Sequence, residues 1–527
     1  MTPPLTSVRT SALANYLGQG WSALVGIAFL PLYIGTLGVE SYALVGFFAV
    51  LQAWMALLDL GLTPTLNREM ARLRAGAHTG ESIRDLLRSL EIACGTLTAA
   101  TIACLWYAAP WLTTHWLNLQ GLPTPTVIGA VRLMAFVLAI RFFEQIYRGA
   151  LQGSQDQVWL NATSAVLATL RWGGAYLVIS RIVPTVEAFF IWQGAVSVLT
   201  TAILVHRTYG LLPHALRSGR FDLATLAEVY DFARGMFFSS LLAFLLTQSD
   251  KLAVSKLLPL GELGYYTLAT TVAGGLMQLV VPLNTAIYPR LTVLAAIGDE
   301  AALRRTYHDA CESMAAIVIP PALLIAFFPD LVLWAWSGNR ELVAQVAPLL
   351  RILALGQLAN ALVNIPYMLQ LAHGWTGLAI RINCVAVILF IPMVLWAVPR
   401  YGGIGAAAVW LGLNVGYVAV GALVMHQRLL RGAATRWYLD AVLKPLAVGS
   451  LLACVIRWAL PADASRPASA VLAIGAGAII LIGTAAATPA IRRWMATHVT
   501  MGLNGGFRRG PRLETSPGAD DGLKDRE

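Results

Sequence analysis

The sequence predicts an all-α integral membrane protein: about 14 transmembrane helices forming two parallel six-helix lobes around a central cavity, with an additional helix pair near the C-terminus. Three observations predict it. The 527-residue chain is 57% hydrophobic and only 12% charged, with mean hydropathy +0.67, a composition foreign to soluble domains. Apolar runs long enough to cross hydrocarbon, about 20 residues each, recur along nearly the whole chain, whereas barrel strands would be about 10 residues long and alternating. Short segments also repeat at an offset of roughly 220 residues. Leu37-Gly38-Val39-Glu40-Ser41-Tyr42 matches Leu260-Gly261-Glu262-Leu263-Gly264-Tyr265 in its Gly and Tyr, and Leu151-Gln152-Gly153 resembles Leu369-Gln370-Leu371. The second copy starts six spans after the first, an even number, so both copies share one orientation, as in rocking transporters with a midplane site.

Taken in order, the apolar runs and their breakers place spans near 13–35, 39–62, 90–112, 127–151, 158–180 and 187–206 in a first lobe over 1–210. An inter-lobe linker at 211–228 leads to a second lobe over 229–428, with spans near 235–257, 262–288, 309–335, 343–370, 377–398 and 403–426. A further pair, near 441–460 and 468–488, falls within 437–490, and the Gly-, Pro- and charge-rich stretch at 491–527 reads as a disordered cytoplasmic tail. Asp59 and Gly61 close the second span; Thr63, as cap, and Pro64, at the first helical position, start a cytoplasmic helix carrying Arg68, Arg72 and Arg74. The first run is longer than a signal-peptide core and stays in the mature protein.

Cation placement sets the orientation. Arg9, Arg68, Arg72, Arg74, Arg84, Arg88, Arg207, Arg217, Arg220, Arg234, Arg290, Arg304, Arg305, Arg428, Arg431, Arg436 and Lys444 collect on one side, against Arg181, Arg340, Arg400 and Arg466 on the other. Both termini are therefore expected in the cytoplasm. The net charge of +10 is scattered over these loops and forms no basic face for nucleic acid. Loops on the outer side are short, the longest running from Thr113 to Thr126, which speaks against a membrane glycosyltransferase or polymerase. Cys94, Cys104, Cys311, Cys384 and Cys454 fall inside spans without metal-type spacing and read as packing residues. No metal cluster, nucleophile triad, Walker loop or dinucleotide fingerprint is present.

Charges inside the spans carry the functional signal, because an Asp, Lys or Arg at mid-bilayer costs about 2.5–3.5 kcal/mol and is retained where it lines a polar interior. In the fourth span Arg141, Glu144, Gln145, Arg148 and Gln152 share one helical stripe, and Glu144 is spaced to pair with Arg141 and Arg148. Asp250 and Lys251 are adjacent, so only one of them can face a narrow cavity directly. Arg171 and Arg351 lie well inside their spans. Arg132, Lys256, Arg381 and Arg457 lie nearer span ends, where long stems snorkel to headgroups. Gln357, Asn360 and Asn364 share a face before Pro366, and Asn15 and Gln19 lie one turn apart, amide patterns that suit sugar hydroxyls or helix–helix bonds.

Asp59-Leu60-Gly61-Leu62 with Arg68-Glu69, the stretch from Arg148 to Gly153 with Asn161 behind it, and Ser249-Asp250-Lys251 through Gly264-Tyr265-Tyr266 to Pro289-Arg290 resemble the polysaccharide-biosynthesis membrane proteins. These are the Wzx-type oligosaccharide flippases of the multidrug/oligosaccharidyl-lipid/polysaccharide superfamily. The resemblance covers roughly residues 10–430. It implies a non-enzymatic transporter of the bacterial inner membrane, working by alternating access on an undecaprenyl-diphosphate-linked oligosaccharide. A polysaccharide polymerase and other assembly proteins are the further partners it implies, with no cofactor beyond a coupling proton or sodium ion. The cations available to a diphosphate are then Arg141, Arg148, Arg171, Lys251 and Arg351, and the carboxylates available to a coupling ion are Asp59, Glu144 and Asp250. A peptidoglycan-precursor flippase and a cation-coupled multidrug antiporter of the same superfamily remain as alternatives; the excess of buried cations over carboxylates opposes the second.

Overall fold

The computed structural model describes residues 8–59, 62–74, 79–213, 219–460 and 464–493, with side chains described outside 8–16, 56, 58, 223–239 and 376. The expected tail from 494 onward, the heart of the inter-lobe linker at 214–218, Gly61 and the Asn15 side chain lie outside the described residues. In chain order the helices are α1 (Val8–Leu37), α2 (Val39–Leu58), α3 (Leu62–Arg74), α4 (Gly80–Trp111), α5 (Thr124–Gly153), α6 (Gln157–Arg181), α7 (Val186–Leu211), α8 (Leu223–Leu257), α9 (Leu260–Gly274) and α10 (Met277–Ile297). There follow α11 (Glu300–Phe327), α12 (Pro329–Ser337), α13 (Arg340–Leu362), α14 (Asn364–Ala372), α15 (Thr376–Gly416), α16 (Ala422–Leu429), α17 (Ala434–Arg436), α18 (Lys444–Ala459) and α19 (Arg466–Ala487). Among the described residues there is no β-strand, and the single bridge joins Asn118 to Pro259. A bilayer core offers no water to backbone groups, so a chain this apolar satisfies them within helices.

Helix starts follow local capping chemistry. The side chains of Thr79, Thr185, Asp299 and Asn339 accept from the backbone N–H of Ser82, Ala188, Ala302 and Leu342, at 3.1, 3.3, 2.9 and 3.1 Å. Each such cap is worth about 1 kcal/mol. The start of α3 corrects the sequence expectation. Its capping group is the Asp59 carboxylate, which accepts from Thr63 N at 3.2 Å and Thr63 Oγ1 at 2.7 Å, so Thr63 is the capped residue rather than the cap.

Breakers also divide runs that the sequence reads as single spans. The 262–288 run breaks at Gly274 and Gly275 into α9 and α10, the 309–335 run breaks before Pro329, and the 343–370 run breaks between α13 and α14, three residues before Pro366. Conversely, the 377–398 and 403–426 spans join into one bent run: the two arms of α15 meet at Gly402, whose φ of 61° and ψ of −149° only glycine adopts readily, and the second arm continues through a π-helical turn at Tyr417–Gly421 into α16. Among the described residues, eleven helices are long and apolar enough to cross a membrane, against the expected 14. The bent Gly377–Leu429 run counts once among the eleven, α2 contributes only the shorter apolar stretch Val39–Met55, and α8, whose side chains are described only from Ser240 on, is not among them. The protein is a multi-pass membrane protein.

Packing repeats between the lobes. In the first, α1 lies on α6, α5 on α7, and α4 on α5; in the second, α8 lies on the α15 hairpin, α13 on the same hairpin, and α11 on α13. The repeat seen in short motifs is thus a repeat of helix neighbours. Between lobes, α2 packs on α9, where a Cβ at Gly264 would stand 2.9 Å from Val39 O. The segment after α4 crosses this seam: Asn118 O accepts from Leu260 N at 2.9 Å, Trp116 Nε1 donates to Ser255 Oγ at 3.1 Å, and Lys256 Nζ donates to His115 O. Glu40 accepts from Gly121 N at 2.9 Å on the same side. The final pair α18 and α19 packs on α11 and α12, with Arg457 paired to Asp330 at 2.9 Å. Of the five cysteines, Cys94 and Cys311 are buried, but Cys104 and Cys454 are exposed on outer helix faces and do not pack in a core.

Candidate functional site

The fourth-span stripe folds into an ion network on α5. Glu144 is 3% exposed and accepts from Arg148 Nε at 2.7 Å, one turn along the helix. Its second oxygen lies 3.6 Å from Arg171 Nη2 of α6. Arg148 also donates to Ser164 Oγ at 3.0 Å, and Arg171 to Thr200 Oγ1 at 3.4 Å. Arg141 does not pair with Glu144 as its spacing suggested. It is fixed instead by two amides, Gln52 Oε1 of α2 at 2.9 Å and Gln193 Oε1 of α7 at 2.7 Å, with its guanidinium over the Phe48 ring. Two guanidinium groups thus share one carboxylate with a third held nearby on neutral amides, and the Nε atoms of Arg141 and Arg171 are buried without a partner. Spare, directed N–H donors beside a net positive charge are what a phosphate oxygen binds.

Arg148 and Arg171 line a polar cavity of about 750 Å³. Its other polar walls are Gln19 of α1, Asn67 of α3, Gln152 of α5, Gln157, Asn161 and Ser164 of α6, and Gln278 reaching across from α10. Arg141 and Glu144 stand behind this wall, while Gln145 is exposed elsewhere on α5. The floor depends on two glycines. A Cβ at Gly153 would meet Asn67 O at 2.1 Å and one at Gly149 would meet Thr63 O at 2.8 Å, so glycine here lets α3 lie flat against α5 and present Asn67.

A second polar pocket, of about 260 Å³, lies in the other lobe and carries no charged side chain. Asn360 and Asn364 of α13 and α14 line it together with Gln370, Asn383 and Tyr417, while Gln357 does not. Asn360 donates to Asn414 Oδ1 at 2.7 Å, Asn284 of α10 donates to Asn364 Oδ1 at 3.0 Å, and Tyr417 Oη donates to Asn383 Oδ1 at 3.0 Å.

Comparison with known proteins bears on this geometry. The polysaccharide biosynthesis protein family model matches residues 8–294, more than half of the chain. The chain belongs to that family. The MatE model matches residues 236–396, within the second lobe. A protein of Shigella flexneri assigned as an O-antigen transporter is 21% identical over 407 residues, covering 77% of this chain and 94% of the relative. Among solved structures, a lipid II flippase MurJ in an inward closed conformation aligns with TM-score 0.71 at 13% identity, covering 92% of this chain and 99% of the other. An inward-facing multidrug resistance MATE transporter aligns with TM-score 0.64 at 15% identity, over 79% of this chain and 96% of its own. At such identities the structural likeness concerns the fold alone.

The remaining family-like pieces fall in distinct places. Asp59 caps α3, and Glu69 is buried between Arg68 at 3.1 Å and Arg72 at 3.0 Å. Asp250, 4% exposed, accepts from Tyr266 Oη at 2.6 Å and leaves Oδ1 buried without a partner. Its neighbour Lys251 is half-buried and donates to Gln248 Oε1 at 3.4 Å. Of the pair it is the acid that turns inward. Arg351 is exposed and donates to Ala326 O at 3.0 Å, at the end of α11, away from both polar pockets. Sequence reasoning passed over Gln52 and Gln193, which hold Arg141, and Gln278, which reaches the first-lobe cavity from the second lobe. Each is a lone amide in an apolar run, a signal that marks a buried bond but not its partner.

Proposed function

We propose that the protein is a flippase carrying an undecaprenyl-diphosphate-linked oligosaccharide from the cytoplasmic to the periplasmic leaflet, for assembly of a surface polysaccharide. The observation that carries this reading is the cavity wall of Arg148 and Arg171, where two guanidiniums answer to the one carboxylate of Glu144. A diphosphate sheds much of its hydration on entering the hydrocarbon zone, and charge-assisted bonds from guanidinium groups replace it. Cationic drugs would meet repulsion in the same cavity. Family membership and the likeness to an O-antigen transporter support the same reading.

In this proposal the two lobes, 1–210 and 229–428, rock about the α2–α9 seam, with 437–490 as an added pair and both termini cytoplasmic in the bacterial inner membrane. The cavity opens beside α3 and the α5–α6 turn, the cytoplasmic end by cation count, while the outer seam of Asn118, Trp116 and Glu40 is shut. The substrate crosses without chemical change. Of the three carboxylates, Asp250 keeps an oxygen with no hydrogen bond and forms no ion pair among the described residues, whereas the open oxygen of Glu144 faces Arg171 at 3.6 Å, so Asp250 is the candidate to take a coupling proton or sodium ion. A polysaccharide polymerase would receive the product on the far side.

The test is deletion in the host with radiolabelled lipid-linked intermediates. Loss of surface glycan with accumulation in the cytoplasmic leaflet is expected; normal display without accumulation overturns the reading.

A further inference from the structure

The uncharged pocket of the second lobe has a feature that helix packing does not explain. Gln370 is only 7% exposed, lines the pocket, and holds its carboxamide oxygen buried without a hydrogen-bond partner. An unsatisfied buried acceptor is costly, so a purely structural zipper of amides would gain by closing on it or by losing it. Around it stand Asn360, Asn364 and Asn383, each able to donate and accept, with the Tyr417 hydroxyl and the exposed ring of Tyr367. Neutral amides with one aromatic face match the hydroxyls and the C–H face of a sugar ring, and the volume admits a single ring. The pocket also connects to the cation wall through one helix. Gln278 in the first turn of α10 lines the first-lobe cavity, and Asn284, about 9 Å further along the axis, binds Asn364.

We propose that this pocket is a saccharide subsite: it takes a sugar ring of the lipid-linked oligosaccharide while Arg148 and Arg171 of the other lobe take the diphosphate. The inference rests on the flippase reading. It makes one substrate span both lobes, with the Gln370 oxygen accepting from a sugar hydroxyl.

Binding to the full-length purified protein tests it with two probes: the lipid-linked oligosaccharide extracted from a host strain deleted for the protein, and undecaprenyl diphosphate bearing no sugar. The wild type is expected to bind the glycosylated lipid more tightly. Gln370→Leu should weaken that binding at least about tenfold, because a site built for a hydroxyl discriminates through the bond itself, and leave undecaprenyl diphosphate binding unchanged. The same variant should match or exceed wild-type thermal stability, since it removes an unsatisfied acceptor. Tyr367→Ala, at an exposed position, should repeat the selective loss without touching the core. Equal affinity of the wild type for both probes, or Gln370→Leu and Tyr367→Ala variants that keep the wild-type preference, overturns the subsite and leaves the flippase reading standing. A deletion strain that accumulates no lipid-linked oligosaccharide overturns the reading and the subsite with it.

Discussion

The two lobes place the same helix neighbours around interiors of different charge. In the first, α5 and α6 bring Arg148 and Arg171 to a cavity wall with Glu144 behind it. In the second, the α13–α14 break and the α15 hairpin bring together amides and two tyrosines with no charge at all. The backbone plan is common and the chemistry is not, because a helix pair is held by shape and small residues whereas a polar wall is set by single side chains. A substrate with an anionic end and a neutral, hydroxyl-rich end has matching halves only when both lobes are present.

The largest effect is expected in the cation wall. Arg171→Gln should lower oligosaccharide export at least about a hundredfold in a host complementation assay, since both phosphate recognition and the share of Glu144's charge are lost. Arg148→Ala should also lower protein abundance, because leaving Glu144 buried without its closest partner costs about 3–5 kcal/mol. The pair Glu144→Gln with Arg148→Gln separates the two effects: abundance returns while export stays absent. If export returns as well, the cations hold the helices and not the substrate.

A smaller, structural effect is expected where Arg141 bridges Gln52 and Gln193. Arg141→Lys offers one ammonium for two amides on different helices and should lower stability by about 1–2 kcal/mol, read as a fall in thermal unfolding temperature in detergent. Gly153→Ala should be comparable, about 1–3 kcal/mol, as its methyl group meets the Asn67 carbonyl. The smallest belongs to the rim. Arg304→Ala removes a partly exposed pair with Glu300 at 3.0 Å and a bond to Arg431 O at 3.0 Å, and should change stability by about 1 kcal/mol. A large loss there would mean that peripheral cations matter as much as the cavity wall.

Much of the cavity wall was legible in the fourth span. A helix turns 100° per residue, so Glu144 and Arg148 had to lie on one face wherever α5 packed. The partner of Arg141 was not legible, because Gln52 and Gln193 come from helices 89 and 52 residues away. Lys251 and Arg351 show the converse. Depth within an apolar run marked both as candidates, yet one is half-buried beside Gln248 and the other faces outward at the end of α11, since depth carries no information about azimuth.

By itself, the sequence determined the membrane class, the helical composition, the repeat of six spans and the excess of cations, because hydrocarbon length, backbone hydrogen bonding and charge are properties of single segments. Only the tertiary structure decided that Asp250 and not Lys251 turns inward, that Asp59 caps α3, and that Gln370 is left with an open acceptor in an uncharged pocket. Those facts depend on which surfaces meet, and contacts between distant segments are written in no one segment.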